Sequence, residues 1–152
     1  MIQVAPIVLS MAALALSVFV FTEGRRRYKR DLFLKLHEIL ISEDQYRGRQ
    51  LLLSRNFDET SIEELRPSER ANISRAIATY DTLGLYLRRR YLIEADVISM
   101  WGDPAYRAWQ AAEPFVKRRA NKSHLPAYPY FRYLAERAEM VRSKADAKSD
   151  GA

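Results

Sequence analysis

The residue types that most often carry enzyme chemistry are sparse in this chain. It has two histidines, His37 and His124, and neither belongs to a metal-binding spacing such as H-E-x-x-H. It has no cysteine, which excludes thiol catalysis, disulfides and cysteine-ligated zinc or iron–sulfur clusters. We therefore expect no metal site, and the cysteine-free composition fits a reducing compartment such as the cytoplasm.

Phosphate-binding loops and hydrolase motifs are missing as well. The sequence contains no G-x-x-x-x-G-K-[ST] loop, no G-x-G-x-x-G turn and no G-x-S-x-G elbow, and it has only five glycines. Glu63 and Glu64 form an acid pair, but they fall in a predicted solvated loop, and a carboxylate needs burial to gain a pKa suited to proton transfer. We expect neither catalytic residues nor a cofactor. An enzyme with an unfamiliar site is the third alternative.

Basic side chains are the main candidates for binding. One cluster follows an uncharged N-terminal stretch and two lie at the ends of predicted helices, where they also offset the helix dipole. A basic cluster beside a membrane span is a common topology signal, and it can also attract anionic lipids with about 1 kcal/mol per residue. Both interpretations are open for the candidate lipid or anion contacts, which are Arg25, Arg26, Arg27, Lys29, Arg30, Arg88, Arg89, Arg90, Lys117, Arg118 and Arg119.

Nucleic acid is a weaker alternative for the same clusters. The formal net charge is +6, but residues 23–31 hold five basic and two acidic side chains, which is half of that excess. Two basic triplets that converge on one face could still contact phosphates. Trp101 and Trp109 could stack on bases, but aromatic residues at helical spacing are typical of a core. Because the domain is only mildly basic, we do not expect nucleic acid as the partner.

A membrane anchor is the first element that positions these residues. Residues 1–22 carry no charge, and a helix over 2–21 would be roughly 30 Å long, which matches the hydrocarbon thickness of a bilayer. No lysine or arginine precedes the span and five follow it, so the positive-inside rule predicts an outside N-terminus and a cytoplasmic C-terminal part in the inner (plasma) membrane. A cleaved signal peptide is the alternative, because Ala13-Leu14-Ala15 resembles a cleavage site, but a positive n-region is missing.

The rest of the chain predicts one small all-α domain. We divide the sequence into a single transmembrane anchor (1–22), a basic juxtamembrane segment (23–31), a cytoplasmic bundle of five or six helices (32–142) and a disordered tail (143–152). Apolar residues recur every three or four positions, as in amphipathic helices. The expected inward residues include Leu32, Phe33, Leu36, Ile39, Leu40, Tyr46, Leu52, Leu53, Ile73, Ala76, Ile77, Tyr80, Leu83, Leu87, Tyr91, Ile93, Val97, Met100, Phe131, Leu134, Ala138 and Val141.

Local signals predict where these helices begin and end. Ser42 with Gln45, and Ser61 with Glu64, have the spacing of capping boxes. The longest domain helix should run from Pro67 to about Tyr91. We further expect a short helix that stops at Gly102-Asp103-Pro104, a following helix that is kinked or ended by Pro114, a loop over 121–129, a close helix crossing at Gly84, and Asp81 at the water boundary.

Several motifs together resemble a bacterial family of membrane-associated helical domains of unknown function. They are the N-terminal span with its basic boundary, Leu87-Arg88-Arg89-Arg90, Val97-Ile98-Ser99-Met100-Trp101-Gly102, Arg107-Ala108-Trp109, Pro114-Phe115-Val116, Arg118-Arg119 and Phe131-Arg132-Tyr133-Leu134. The similarity extends over residues 5 to 138. The resemblance implies an inner-membrane setting in bacteria and a shared helical fold, and it supplies no activity.

The combination of an anchor, a compact domain and no catalytic motif predicts a membrane-tethered, non-enzymatic interaction or adaptor domain. Its partner would be another protein or a second copy of the chain, and the acidic loop from Asp58 to Glu64 is one candidate surface. The alternative is a domain that binds anionic lipid or nucleic acid through its basic clusters at the membrane surface.

Overall fold

A computed structural model describes residues 4–54, 56–122 and 126–149. Over these ranges the protein is all-α, with six helices and no strand. The helices are α1 (Val4–Ile41), α2 (Glu43–Ser54), α3 (Glu59–Glu64), α4 (Pro67–Arg88), α5 (Glu94–Lys122) and α6 (Pro129–Ser149). His124 lies outside the described residues.

Helix α1 carries both the uncharged N-terminal stretch and the first apolar stripe of the domain. It is one continuous helix of 38 residues. Every described side chain from residue 8 to residue 22 is exposed, including Leu9 at 77% and Phe19 at 65%. This part of α1 is long and apolar enough to cross a membrane, and the protein's own core does not use its apolar side chains.

The core lies among α2, α4, α5 and α6, with the C-terminal end of α1 packed on one side. α4 is the central helix and packs against α2, α5 and α6. Tyr80 of α4 is fully buried and stacks on Phe131 of α6 at 5.0 Å between ring centroids, and Trp109 of α5 meets the same phenylalanine edge-on at 5.1 Å. Trp101 is also buried. Both tryptophans therefore serve the core, as expected.

Gly84 allows α4 and α6 to cross at close range. A Cβ built on Gly84 would lie only 1.9 Å from the Tyr130 carbonyl oxygen, so no larger residue fits without moving a backbone. The close crossing predicted at Gly84 is confirmed.

Two helix starts differ from the predicted capping boxes. At α2 the Ser42 hydroxyl donates to the Ile39 carbonyl at 2.7 Å, and Gln45 donates to the Thr79 hydroxyl at 2.8 Å, so neither side chain caps the helix. At α3 the N-cap is Asp58, which accepts from the Ser61 amide at 2.7 Å while the Ser61 hydroxyl accepts from the Asp58 amide. Ser61 thus occupies the third helical position and does not pair with Glu64. The predicted start of α4 at Pro67 is confirmed.

The helix stop predicted at Gly102-Asp103-Pro104 is wrong, and so is the alternative that Pro114 ends the following helix. α5 runs without a break through Gly102, Pro104 and Pro114. A proline inside a helix costs about 3 kcal/mol, because it removes a hydrogen bond and crowds the preceding turn. Here the continuous helix buries a stripe that spans both prolines, and that packing outweighs the local cost. The stripe consists of Val97, Trp101, Ala105, Ala108, Ala112 and Phe115.

Other boundaries and orientations also differ from the sequence-based expectations. α4 ends at Arg88, and residues 143–149 continue α6 instead of forming the predicted disordered tail, which agrees with their content of alanine and lysine. Residues 150–152 lie outside the described residues. Several expected inward side chains are substantially exposed, and these are Ile39, Tyr46, Leu53, Tyr91, Ile93, Met100 and Val141.

Candidate functional site

Two basic segments that are about 60 residues apart in sequence line one cavity of about 670 Å³, which we call the basic cavity. α1 contributes Arg25, Arg26 and Lys29, and the turn after α4 contributes Arg89 and Arg90. Among the described residues that line this cavity, none is acidic; the others are Tyr28, Tyr91 and Ile93.

The first arm of the basic cavity is one side of α1. Lys29 lies three and four positions after Arg26 and Arg25, a spacing that brings the side chains together on a helix. The Arg25 guanidinium also lies 4.6 Å from the Phe21 ring centroid, so it contacts the last aromatic residue of the uncharged stretch. Arg27 pairs with Glu23 at 3.4 Å and lies outside the cavity, as does Arg30.

The second arm is a tight turn that ends α4. The Tyr91 amide donates to the Tyr86 carbonyl at 3.0 Å and the Arg90 amide donates to the Leu87 carbonyl at 2.9 Å, the bond pattern of a Schellman motif. Arg90 adopts φ 59°, a left-handed conformation that favours glycine. Tyr91 packs edge-on against Tyr86, with ring centroids 5.9 Å apart. The turn thereby holds two arginines beyond the last helical residue and beside α1.

Most of the positive charges of the basic cavity have no acidic partner among the described residues. The side chains of Arg26, Lys29, Arg89 and Arg90 form no hydrogen bond or ion pair with any residue that the structure describes. Arginine and lysine in such an arrangement suit phosphate and carboxylate oxygens, because each donates several charge-assisted hydrogen bonds. The arrangement can bind an anion without displacing an existing partner.

Arg88 and the second basic triplet, which were also predicted contacts, are engaged elsewhere. Arg88 lies 5.9 Å and 5.7 Å from the rings of Tyr130 and Tyr133. In the second triplet, Lys117 pairs with Glu113 at 2.8 Å and Arg118 with Glu63 at 3.3 Å. Arg119 donates to the Tyr128 hydroxyl at 3.2 Å and covers the same ring at 5.0 Å. None of these four side chains lines the basic cavity.

The predicted acidic loop from Asp58 to Glu64 is the capped helix α3, and it is used in part for the fold. Hydrogen bonds from Ser61 hold the pKa of the Asp58 carboxyl below its ordinary value, in keeping with its capping role. The Glu63 carboxylate forms an ion pair with the Arg118 guanidinium, and Glu64 is exposed. In the described part of the chain, no group of three or more histidine, aspartate or glutamate side chains could hold a metal ion.

Sequence reasoning missed the aromatic members of the site. Tyr28 lies inside the first basic run and Tyr91 directly follows Arg90, and both line the basic cavity. Tyr91 was expected in the inward stripe of α4, but the helix ends three residues earlier. The available signal was the interleaving of tyrosine with arginine, since amphipathic aromatic side chains are typical of membrane interfaces.

Residues 7–138 match a family that is described as a domain of unknown function, DUF4760. The chain belongs to this family. The matched range contains both arms of the basic cavity and all of the core helices up to Ala138 of α6. The DUF4760 chain matches no curated protein and no solved structure.

Proposed function

We propose that this DUF4760 protein is a membrane-tethered, non-enzymatic domain that binds anionic phospholipid headgroups at the cytoplasmic face of the plasma membrane. The observation that carries the proposal is the convergence of Arg25, Arg26 and Lys29 with Arg89 and Arg90 around one cavity without an acidic lining residue.

The position of the cavity relative to the uncharged stretch supports a lipid ligand. Arg25 follows Phe21 by four residues and Lys29 follows it by eight, which corresponds to about 6 Å and 12 Å along a continuous helix. If the uncharged stretch spans the hydrocarbon core, Arg25 begins in the headgroup layer, which is roughly 5–7 Å thick on each side, and Lys29 begins about 5 Å beyond that layer. The basic cavity would then open where lipid phosphates lie.

The charge of the first arm favours the cytoplasmic leaflet. Basic residues directly after a span are retained on the cytoplasmic side, and that leaflet carries the negative surface potential in many membranes. At about 1 kcal/mol per basic residue near an anionic surface, five cations would supply up to roughly 5 kcal/mol, and salt would weaken this attraction.

Lipid-dependent stabilisation of the purified full-length protein tests the proposal. A ligand that binds only the folded state raises the unfolding midpoint, so short-chain phosphatidylglycerol should raise it in detergent, whereas short-chain phosphatidylcholine should not. Replacing Arg26→Gln and Arg89→Gln together should remove most of that rise. The control pair Arg47→Gln and Arg132→Gln removes the same charge from two exposed sites outside the cavity and should keep the rise.

Two results would overturn lipid binding at this site. One is an equal response of the protein to the anionic and the zwitterionic lipid. The other is an equal loss of response in the cavity variant and in its charge-matched control, which would indicate a general effect of net charge.

A second candidate function is that of a tethered adaptor for a protein partner. A groove of about 630 Å³ lies between α4 and the chain before α6, and Arg75, Arg119, Tyr128, Pro126 and Pro129 are among its lining residues. Thr82 and Ser74 of this groove are seven and fifteen residues from Arg89, about 10 Å and 22 Å along α4, so the groove is separate from the basic cavity. Arg75 pairs with the exposed Asp44 at 2.9 Å and Arg119 with Tyr128, so an acidic, extended segment of the partner would have to compete with these contacts for the two arginines.

Cross-linking in cells tests the adaptor. A reproducible partner or oligomer should be recovered with the natural chain and lost when Arg75→Glu and Arg119→Glu are combined. The pair Arg47→Glu and Arg132→Glu should retain it. Recovery of no reproducible partner and no oligomer would contradict the adaptor function.

A further inference from the structure

We infer that the basic cavity accepts a headgroup that carries two phosphate groups, one held by each arm. The inference rests on the proposed lipid-binding function and specifies its ligand. It depends on three features of the cavity, which are the division of its charges between two elements, its size and the nature of its rim.

The charges are divided between two separate elements. Arg25, Arg26 and Lys29 project from a helix, and Arg89 and Arg90 project from a turn that is fixed by two backbone hydrogen bonds. One phosphodiester exposes two charged oxygens, and a single arginine can bind both of them in a bidentate contact. Five cations therefore exceed what one phosphodiester can pair, while two phosphates would give each arm a partner.

The size of the cavity agrees with a ligand larger than one ion. A volume of about 670 Å³ falls within the range of roughly 300–1,000 Å³ that is typical of sites for small organic molecules. A free phosphate would leave most of it to water and would contact one arm only. A headgroup with two phosphates joined by a short polyol linker would contact both.

The rim indicates a lipid in preference to a soluble diphosphate. Tyr28, Tyr91 and Ile93 line the same cavity and are 66%, 50% and 42% exposed. Tyrosine at a membrane interface packs its ring against the glycerol and upper acyl region and keeps its hydroxyl among polar groups. A soluble diphosphate would accept hydrogen bonds from the two tyrosine hydroxyls but would leave the rings and Ile93 in water.

A comparison of lipids at matched phosphate tests the inference. Delipidated full-length protein in detergent is titrated with short-chain diphosphatidylglycerol, with short-chain phosphatidylglycerol at twice the concentration, and with pyrophosphate, and binding is followed by native mass spectrometry and thermal shift. We expect the two-phosphate lipid to bind at least about tenfold more tightly than the one-phosphate lipid, because its second contact is intramolecular. Pyrophosphate should bind more weakly than either lipid.

Variants of a single arm provide the second measurement. Arg26→Gln or Arg89→Gln alone should reduce the affinity for diphosphatidylglycerol to that of phosphatidylglycerol, and should change the latter by less than about threefold. Arg47→Gln, which removes a cation from an exposed site outside the cavity, should change neither. The melting temperature of each variant without lipid shows whether it is folded.

The outcomes separate the two proposals. Equal affinity for both lipids at matched phosphate, with loss of both in the Arg26→Gln and Arg89→Gln double variant, would overturn the two-phosphate ligand and leave anionic-lipid binding standing. Binding of neither lipid would overturn both. Pyrophosphate that binds as tightly as diphosphatidylglycerol would overturn the lipid and identify a site for a soluble diphosphate.

Discussion

Arg90 combines an unfavourable backbone conformation with a charge at the edge of the basic cavity. Its φ of 59° would suit glycine, and a side chain in this region costs about 1 kcal/mol. We predict that Arg90→Gly raises the free energy of unfolding by about 1 kcal/mol and at the same time weakens binding of anionic lipid. Thermal unfolding and lipid titration of the same detergent-solubilised protein measure both effects.

The neighbouring arginine provides the control for Arg90→Gly. Arg89 has φ −78°, an ordinary right-handed conformation, so Arg89→Gly should lower the free energy of unfolding by about 0.5–1 kcal/mol while it also weakens lipid binding. If both variants shift stability in the same direction, the strain assigned to Arg90 is wrong. Opposite stability changes with similar losses of binding would show that Arg90 is retained for its charge.

Tyr80 tests how a buried hydroxyl without a partner affects stability. Its side chain is fully buried, and its hydroxyl has no hydrogen-bond partner among the described residues. Because an unpaired buried polar group costs about 1–3 kcal/mol, Tyr80→Phe should stabilise the protein by roughly 1 kcal/mol at neutral pH. Chemical denaturation in urea at pH 7 measures the difference.

The same substitution should change the response to alkaline pH. Burial raises the pKa of Tyr80 to about 12, and the positive charges of Arg49 and Arg107 oppose part of that rise. Between pH 10 and 12 the unfolded chain therefore releases the Tyr80 proton and the folded protein retains it, so stability falls as pH rises, by up to about 3 kcal/mol. The natural chain should lose stability more steeply than Tyr80→Phe above pH 10, and parallel curves would contradict this.

At the scale of the helices, the crossing of α4 and α6 depends on Gly84. A Cβ there would lie 1.9 Å from the Tyr130 carbonyl oxygen. The Gly84 Cα that would carry this Cβ and the Tyr130 carbonyl both belong to helix backbones, which cannot move independently. We predict that Gly84→Ala costs at least about 2–3 kcal/mol, as overpacking of a core does. Gly24→Ala is the matched control, because nothing lies within 4 Å of its Cβ position, and it should stabilise α1 by about 0.5–1 kcal/mol. Thermal unfolding of both variants distinguishes the close crossing from a general effect of glycine in a helix.

The sequence allowed the exposed part of α1 and the start of α4 to be predicted because their signals are local, but it did not predict that α1 continues as one helix through residues 23–31 into the domain. The uncharged stretch marks α1, and Pro67 with its regular apolar stripe marks α4. α5 was divided wrongly because Gly102-Asp103-Pro104 is a strong local stop, whereas the burial that keeps the helix continuous comes from other helices. Glycine and proline do not end a helix when the burial of its side chains along the whole length contributes more free energy than these residues cost.

Contacts between distant residues account for what could not be predicted. The Asp81 carboxylate accepts hydrogen bonds from the Tyr130 and Phe131 amides, both at 2.9 Å, and so caps α6 from within α4, across 49 and 50 residues of sequence. The basic residues of the candidate site can be identified from the sequence by residue type. Which of them line the cavity and which pair with other side chains depends on where α4 ends relative to α1. The spacing of apolar residues along the chain does not predict the position of that helix end.

The described part of the molecule consists of a packed helical domain and an apolar helix segment, residues 8–22, whose side chains are all exposed. The same helix continues from the exposed segment through Gly24 into the core at Leu36 and Leu40, so the domain is held at a fixed distance from whatever covers the segment. A single helix of 38 residues extends about 57 Å, enough to cross a bilayer and still reach the bundle. If the exposed segment spans a bilayer, this continuity places the basic cavity near the headgroups.

Cysteine labelling can test this arrangement directly because the chain contains no cysteine. Leu14 of α1 is 67% exposed, and Ser143 of α6 is also exposed, so in water both Leu14→Cys and Ser143→Cys would react with a maleimide at similar rates. In a membrane, lipid should cover position 14 and leave position 143 in water. We expect Ser143→Cys to react with a membrane-impermeant maleimide only after the cells are permeabilised, and Leu14→Cys to react only after the bilayer is dissolved in detergent. Reaction of Leu14→Cys in intact membranes would contradict the anchor, and reaction of Ser143→Cys in intact cells would reverse the orientation and remove the cytoplasmic leaflet as the source of the lipid.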